Sequence, residues 1–229
     1  MHLKRQYLPN GETVAHVTLF GANRDPRVRE WHEKVMVDHW GIPVTYIQCP
    51  FPGASHGQCM NEVLRNTIHS AEPPTYYWWW DNDAILLRHE GLDAALDAVR
   101  NKRTIWGQAW NSSHKFKARG GTHPYASQAC LCFSREVYMA LGYPDCDHHN
   151  PRSDTAEELT YAAEEQGYTV ALQWPSKSDG PYTVELGQTS CYGRSITYGP
   201  NLTYHETRAD LPGHVERFVA KCKNVLSLP

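Results

Sequence analysis

The sequence lacks the long apolar run that a membrane-spanning helix needs, about 20 residues, so we expect no transmembrane segment. It also lacks a cluster of basic residues: its 22 Lys and Arg are scattered and its net charge is −3, which argues against a nucleic-acid partner. Residues 1–7 have a short basic start with no apolar run behind it, so we expect no signal peptide.

Internal repeats and low-complexity segments are absent as well, and 229 residues suffice for one sizeable core, so we expect a single domain. The seven cysteines are odd in number and follow no export signal, which indicates reduced thiols in a cytoplasmic protein. The 8 Trp and 13 Tyr are many for this length. Aromatic platforms often accompany sugar binding, although core packing uses the same residues.

The most informative segment is an apolar run that contains Trp78, Trp79 and Trp80 and ends on Asp81-Asn82-Asp83. Such a run predicts a fully buried strand of a mostly parallel sheet. Residues i and i+2 of an extended chain project to the same side, so we expect the carboxylates of Asp81 and Asp83 to converge while Asn82 faces away. The carboxyl ends of strands in open α/β sheets are where ligands bind.

Two hard oxygen donors at that place suit Mg²⁺ or Mn²⁺, with water and substrate phosphate completing the coordination. The tripeptide alone is weak evidence, because about one Asp-x-Asp is expected by chance in a chain of this length. A second one, Asp145-Cys146-Asp147, follows no strand, and we interpret it as a loop. The alternative for Asp81 and Asp83 is a turn in which both side chains cap local backbone amides.

Periodicity predicts alternating strands and helices before this point. An apolar strand at 14–20 precedes a helix that Asp25 caps and Pro26 begins, and a second strand follows at 44–49. After a Pro- and Gly-containing loop, a second helix leads to Pro73-Pro74 and the tryptophan strand. This β-α-β-α-β order is typical of a nucleotide-binding half of a doubly wound sheet.

The second half is predicted less completely. We expect a helix at 91–99, strands at 104–110, 129–133 and 169–174, a polar substrate loop at 111–127, a helix from Ser134 to Gly142, a helix from Asp154 or Thr155 to Gly167, and a terminal helix at about 211–225. The segment before the terminal helix is rich in loops.

The chain from about 13 to 206 resembles the GT-A glycosyltransferases, and most nearly the large family-2-like group. The resemblance rests on the amino-terminal βαβ unit, the block from Ser55 to Asn61, the strand that ends in Asp81-Asn82-Asp83, and Ala129-Cys130-Leu131-Cys132-Phe133-Ser134-Arg135 with the acidic helix after it. It implies an α/β GT-A (Rossmann-like) domain with a nucleotide-binding half at about 13–90, an acceptor half at about 91–206, and a carboxyl-terminal helix at 207–229.

The resemblance further implies transfer of a sugar from a nucleoside diphosphate sugar, with UDP preferred, to the hydroxyl of a carbohydrate or other acceptor, and Mn²⁺ or Mg²⁺ as cofactor. Asp83 is expected to bind the metal directly and Asp81 to bind the metal or the ribose. His205 is expected to complete the metal shell, with His214 as its competitor. The nucleotide sugar is expected to contact Phe20, Arg24, Ser55, Asn61, Asp81 and Asn82.

The general base is expected among Asp154, Glu157 and Glu158. The family carries a Glu-Asp pair at the start of its acidic helix, and that pair would fall near Thr155-Ala156 here, so the stereochemistry of transfer stays open. Acidic residues near a helix start also complement the helix dipole without any catalytic role. A zinc site built from Cys130, Cys132, Cys146, His148 and His149 lacks the ligand spacing of a finger or ribbon.

Two other functions remain open. A nucleotidyltransferase such as a sugar-phosphate pyrophosphorylase also uses a doubly wound sheet and carboxylate-bound Mg²⁺, but its Gly-rich basic loop is poorly matched by residues 20–24. A non-catalytic carbohydrate-binding module would use aromatic platforms and no metal.

Overall fold

The computed structural model describes residues 1–21, 24–49, 55–111, 123–148, 153–179, 195–207, 209, 211 and 213–227. The strands are β1 Gln6–Tyr7, β2 Thr13–Phe20, β3 Val44–Gln48, β4 Tyr76–Asp81, β5 Ala84–Leu86, β6 Thr104–Asn111, β7 Pro124–Ser134, β8 Thr169–Gln173, β9 Pro175–Asp179, β10 Ser195–Tyr198 and β11 Thr203–Glu206. The helices are α1 Pro26–Glu33, which continues as π-helix over Lys34–His39, α2 His56–Thr67, α3 Glu90–Arg100, α4 Arg135–Ala140, α5 Glu157–Glu165 and α6 His214–Leu226.

The main sheet confirms the predicted α/β architecture. Its strands lie in the order β2-β4-β7-β6-β8, and both β1 and β3 pair with β2. Strands β2, β3 and β4 are mutually parallel, as are β6 and β8, and β7 runs antiparallel to both β4 and β6. Five of the seven strands in the described sheet therefore run in one direction, and their carboxyl ends share one edge.

Local signals explain where the first helices begin. Asp25 accepts a hydrogen bond from the backbone N–H of Arg27 at 2.9 Å, and Pro26 occupies the first helical position, as predicted. Ser55 and Gln58 form a capping box at the start of α2. Both helices therefore start immediately after the loops that follow β2 and β3, at the edge where the strands end.

The tryptophan strand separates two cores. Trp78 and Trp80 are stacked, with ring centroids 5.1 Å apart, and face α1, α3 and α6. Tyr77 and Trp79 point to the opposite side, toward α2, α4 and α5. All four side chains are buried, so β4 is a central strand covered on both faces and is held rigidly up to its last residue.

A second sheet of four antiparallel strands, in the order β5-β11-β10-β9, was not predicted. Its strands are short: β5 has 3 residues and β10 and β11 have 4 each, which is too few for a clear period-2 pattern. Strand β5 begins three residues after β4 ends. The small sheet therefore starts directly at the Asp81-Asn82-Asp83 segment and connects it to the last third of the chain.

Three predicted boundaries were wrong. Strand β7 begins at Pro124, not at 129, so 124–127 belong to the sheet, and 112–122 of the predicted substrate loop lie outside the described residues. Helix α5 begins only at Glu157. The residue before it, Ala156, adopts a left-handed conformation with φ of 60°, so the helix cannot extend back to Asp154 or Thr155. The terminal helix begins at His214, after Gly213 with φ of 81°.

Two remaining expectations concern membranes and thiols. None of the helices in the described ranges has both the length and the apolar character needed to cross a bilayer. The six cysteines among the described residues are buried and unpaired.

Candidate metal centre and active site

The candidate site begins at the turn that follows β4. Asp81 is the last residue of the strand, and Asn82 and Asp83 form a turn that leads into β5. Burial continues past the end of the predicted buried strand: Asn82 is only 2% exposed and Asp83 only 3% exposed, because β5 and β11 cover the turn. The two carboxylates do converge, but a turn brings them together and not the alternation of an extended strand.

Strand β11 brings His205 to this turn. In the β5–β11 pairing, His205 lies opposite Ala84, and the backbone N–H of Glu206 donates to the backbone oxygen of Asp83 at 2.9 Å. These backbone bonds fix the register, so the imidazole must lie on the side of the turn that carries the carboxylates. The pairing therefore brings His205 into direct contact with Asp83, although the two residues are more than 120 positions apart in the sequence.

The three side chains form a compact group. His205 Nε2 lies 3.4 Å from Asp83 Oδ1 and 3.8 Å from Asp81 Oδ2. One potential ligand atom from each residue lies within 4.8 Å of the others, and no other group of at least three His, Cys, Asp or Glu in the described residues meets this criterion. Two carboxylate oxygens and one imidazole nitrogen at this spacing are a suitable donor set for a divalent cation.

The electrostatics of the group favour bound positive charge. Burial acts to raise the pKa of Asp81, but its contact with His56 and the charges of His56, His205 and Arg24 outweigh this effect, and the pKa is lowered. Burial acts to lower the pKa of His205, but Asp83 and then Asp81 outweigh it, and that pKa is raised. Without a cation, the two carboxylates therefore favour the protonated form of His205.

His56 is a site residue that the sequence reasoning missed. It is the first residue of α2, and its Nδ1 lies 3.6 Å from Asp81 Oδ1, so Asp81 has an imidazole near each of its oxygens. The pKa of His56 is raised: burial lowers it, and Asp81 overcomes that effect. The available signal was the capping box of Ser55, which placed a helix start, and hence its first side chain, at the edge of the sheet that holds Asp81.

The other predicted nucleotide-facing residues lie at the same edge. Phe20 ends β2, and its ring is covered by the guanidinium of Arg29, whose Cζ is 4.7 Å from the ring centroid. Arg29 also lies over the ring of Tyr46, at 5.1 Å. Arg24 follows β2, close enough for its charge to contribute to lowering the pKa of Asp81.

Ser55 and Asn61 are engaged with the second Asp-x-Asp, which lies in an irregular segment as predicted. Ser55 donates its hydroxyl to Asp147, and Asn61 Nδ2 donates to Asp145 Oδ1 at 2.5 Å. Asn61 Oδ1 in turn accepts from the backbone N–H of Cys146 at 3.0 Å. The start of α2 therefore holds the loop of residues 144–148, which leads toward the acidic helix.

Gly57 makes this close approach of helix and loop feasible. A Cβ atom at position 57 would lie 2.1 Å from the backbone oxygen of Cys146 and 2.4 Å from the Cα of Asp147. Both are backbone atoms, which cannot rotate away as a side chain could. Glycine at this position therefore allows the loop to lie directly on the helix.

Strands β6 and β7, from the half predicted to bind the acceptor, also reach the candidate metal centre. Trp110 of β6 has its ring centroid 5.6 Å from that of His205, and it pairs with Tyr125 of β7. The hydroxyl of Tyr125 donates to Asp154 Oδ2 at 3.2 Å. The pKa of Tyr125 is raised well above its usual value by burial and then by Asp154, Glu157 and Asp81, so Tyr125 lies within electrostatic reach of both Asp81 and Asp154.

The three predicted base candidates differ in their surroundings. Asp154 is partly exposed, and its Oδ1 accepts from the backbone N–H of Thr155 at 2.8 Å. Glu157 is fully buried, and its two oxygens accept from the backbone N–H of Asp154 at 2.6 Å and from the hydroxyl of Tyr161. Glu158, the next residue of α5, is partly exposed.

His214, the alternative metal ligand, is directed elsewhere. Its Nδ1 lies 2.7 Å from the backbone oxygen of Thr207 and 2.9 Å from Glu206 Oε1. The zinc alternative gains no geometric support: Cys130 and Cys132 are buried in the tryptophan core, and His149 lies outside the described residues. The described metal-ligand candidates are thus the two aspartates and His205.

Comparison with protein-family models and with curated protein sequences found no match. Comparison with solved structures found the catalytic domain of Drosophila β1,4-galactosyltransferase 7 in complex with xylobiose, at 11% identity and a TM-score of 0.50, over 90% of this chain and 78% of that one. A glycosyltransferase involved in glycosylation of the major capsid of PBCV-1 matches at 8% identity and a TM-score of 0.49, over 93% of this chain and 99% of that one.

A mannosyltransferase from Pyrobaculum calidifontis matches at 10% identity and a TM-score of 0.45, over 69% of this chain, which spans only 54% of the mannosyltransferase. Identities this low establish similarity of fold alone. The chain has the fold of the GT-A glycosyltransferases, as the galactosyltransferase domain shows over nine tenths of the sequence. The predicted fold class is thereby confirmed.

Proposed function

We propose that the protein is a metal-dependent glycosyltransferase that moves a sugar from a nucleoside diphosphate sugar to an acceptor hydroxyl. The observation that carries the proposal is the convergence of Asp81, Asp83 and His205 at the carboxyl end of the central strand of a GT-A fold. In open α/β sheets this is the edge where ligands bind. The donor set suits a hard divalent cation, Mn²⁺ or Mg²⁺.

The residues present fit such a cation. Asp83 and His205 are buried and fixed by the β5–β11 pairing, while the side chain of Asp81 is 16% exposed and can face a ligand. A divalent cation held by these three residues supplies the positive charge that stabilises a departing diphosphate. Because the chain is acidic and its basic residues are scattered, side-chain cations alone are a poor substitute.

The donor side offers further contacts for a nucleoside diphosphate. His56 opens α2 beside Asp81, where backbone N–H groups of the first turn and the helix dipole favour anions. Arg24 adds a second positive charge at the same edge. Phe20 and Arg29 form a stacked pair at the end of β2 that can hold a base, and UDP is the first nucleotide that we would test.

We assign the general base to Asp154. It is partly exposed, whereas Glu157 is enclosed, and the Tyr125 hydroxyl and the Thr155 N–H hold its carboxylate at the acceptor side. A carboxylate so placed can accept the proton of an acceptor hydroxyl as that hydroxyl attacks the sugar. Glu157, whose carboxylate accepts the backbone N–H of Asp154, positions the base and does not touch the substrate.

The acceptor is proposed to be a saccharide. The galactosyltransferase domain with the same fold was solved in complex with xylobiose. On this chain, the Trp110 ring lies beside His205 at the acceptor side, where a sugar ring can stack on it.

The proposal is tested by following nucleoside diphosphate release from a panel of nucleotide sugars, with and without a saccharide mixture. Release should require Mn²⁺ or Mg²⁺, stop in EDTA, and be lost in Asp83→Asn. Asp97→Asn is a matched control, because its side chain is 72% exposed in α3 and pairs only with Arg100 among the described residues. Turnover that is equal in EDTA and in Mn²⁺ would refute the proposal.

A further inference from the structure

A groove of about 400 Å³ lies between α2 and the turn after α4, and none of its lining residues belongs to the Asp81, Asp83 and His205 group. Leu64 and Ile68 of α2 contribute apolar surface, and Tyr138 of α4 and Tyr143 contribute aromatic rings. The groove belongs to the layer that covers the α2 side of the main sheet. Its size is in the range of small-molecule sites.

Tyr143 is the unusual residue of this groove. Tyr143 is 48% exposed, whereas the three tryptophans of β4 are buried in the core. Its backbone has φ of 60°, directly after Gly142 with φ of 81°. A left-handed conformation is unfavourable for a bulky residue, and persistent strain of this kind is concentrated at ligand-binding sites.

Neighbouring residues hold the Tyr143 ring in place. The backbone N–H of Tyr143 donates to the backbone oxygen of Tyr138 at 3.2 Å, and its hydroxyl lies 3.3 Å from His69 Nε2. The rings of Tyr138 and Tyr143 meet edge to face, with centroids 5.9 Å apart. The exposed aromatic surface is therefore preorganised, which lowers the entropic cost of stacking a ligand on it.

Polar groups surround the ring. Arg65 is exposed and makes no hydrogen bond or ion pair with any described residue, so its guanidinium is available as a planar donor. Asn61 and Asp145 also line the groove and are fixed by their mutual hydrogen bond of 2.5 Å. An aromatic face flanked by a guanidinium and a carboxylate suits the apolar face and the vicinal hydroxyls of a sugar ring.

We infer that this groove is a second, non-catalytic saccharide-binding site. A nucleotide is disfavoured, because the carboxylate of Asp145 would face its phosphates, and an apolar peptide is disfavoured by the polar surroundings of the ring. The site needs neither the metal nor the donor. It binds part of a saccharide outside the catalytic centre, and it does so whether or not transfer takes place.

A microarray of defined mono- to tetrasaccharides, probed with the purified protein in EDTA and without nucleotide, tests this inference. The parent protein should bind at least one saccharide, and calorimetry with that saccharide gives its affinity. Tyr143→Asn should weaken binding about tenfold or more, yet should keep the melting temperature, because Asn tolerates the left-handed backbone that Tyr143 adopts. Arg65→Gln, at an exposed helix position, should also weaken binding.

Tyr7→Ala is the matched control, because Tyr7 is 73% exposed and lies on the edge strand β1, outside the groove. It should bind saccharide as the parent does. The inference is overturned if the parent binds no saccharide in EDTA, or if Tyr143→Asn and Arg65→Gln both bind as the parent does. Since metal and nucleotide are absent throughout, either failure would leave the proposed transferase activity untouched.

Discussion

The backbone N–H of Glu206 donates to the backbone oxygen of Asp83 at 2.9 Å, and this bond joins the two parts of the candidate metal centre. It continues the β5–β11 ladder by one residue beyond His205. The imidazole of His205 is thereby held 3.4 Å from the carboxylate of Asp83. The relative positions of Asp83 and His205, two of the candidate ligands, are thus set by strand pairing, which is more rigid than a loop.

The pH dependence of metal binding should identify His205 as a ligand. The pKa of His205 is raised above 6.5 in the metal-free protein, and the imidazole must be neutral to bind Mn²⁺. As the pH is lowered, the affinity for Mn²⁺ should therefore start to fall before pH 6.5 is reached. The loss should be up to about tenfold per pH unit. The carboxylate of Asp81, whose pKa is lowered from 3.8, contributes no such loss down to about pH 5.

His205→Ala should weaken Mn²⁺ binding at neutral pH and flatten its dependence between pH 5 and 7, as measured by calorimetry. His89→Ala is the matched control, because its side chain is 54% exposed at the start of α3 and pairs with Asp93. Equal affinities and equal pH profiles for both variants and the parent would remove His205 from the metal shell.

Substitutions in the acidic segment should separate the base from the residue that positions it. Asp154→Asn should lower transfer by about 10²-fold or more, since general bases contribute on that scale, with donor binding unchanged. Glu157→Gln should lower the free energy of unfolding by about 1–3 kcal/mol, because a buried amide N–H would replace an acceptor of the Asp154 N–H or the Tyr161 hydroxyl.

Steady-state kinetics and urea unfolding measure both effects, and Glu158→Gln is expected to remain close to the parent in each. If Asp154→Asn transfers sugar at the parental rate, the base lies elsewhere or the mechanism is retaining.

Gly57→Ala should destabilise the protein by about 1–3 kcal/mol, the usual cost of forcing an extra carbon into a packed contact. The new Cβ would meet the backbone of Cys146 and Asp147 and push the loop of residues 144–148 off α2. Gly21→Ala is the control for stability, because nothing lies within 4 Å of the Cβ it would add. Equal melting temperatures for Gly57→Ala and Gly21→Ala would show that the loop does not pack on the helix as described.

Buried His16 should make the fold sensitive to acid. Its Nε2 lies 2.8 Å from Gln6 Oε1, Trp80 Nε1 donates to its Nδ1 at 3.3 Å, and burial lowers its pKa to about 3. Between pH 6.5 and 3 the unfolded chain binds a proton at this residue and the folded chain does not. The contribution of His16 to stability is therefore complete above pH 6.5 and is lost as pH falls toward 3.

From His16 alone, the free energy of unfolding is expected to fall by about 1.4 kcal/mol for each pH unit of acidification in this range. Urea unfolding of the parent and of His16→Asn at pH 6.5, 5.5 and 4.5 measures it, and the variant should lose less stability on acidification. Parallel pH dependences for the two proteins would show that His16 titrates normally in the folded state.

Most of the amino-terminal half could be predicted from the sequence because its signals are local. The cap at Asp25, the proline after it and the apolar run before Asp81 each act within a few residues, and the structure confirms the elements that they define. The convergence of Asp81 and Asp83 was also predictable, although the burial of Asp83 was not, because the strand that covers it lies at 203–206.

The parts that were missed depend on contacts between distant segments or on single backbone angles. The pairing of β5 with β11 joins strands of 3 and 4 residues, too short for a periodic pattern. The start of α5 is displaced by the left-handed conformation of Ala156. Alanine rarely adopts this conformation, so no sequence rule would predict it at this position. To predict His56 as a site residue, one would have to know that the first turn of α2 faces the end of β4.

Calorimetric titration with UDP, in Mn²⁺ and in EDTA, tests the central claim most directly, that Asp81, Asp83 and His205 form the metal centre of a nucleotide-sugar site. Asp83→Asn is the decisive variant, because Asn has nearly the same shape and the buried turn should stay folded. We predict that the parent binds UDP at least about tenfold more tightly with Mn²⁺, and that Asp83→Asn loses this difference at an unchanged melting temperature. Equal affinity of the parent for UDP in Mn²⁺ and in EDTA would contradict the account.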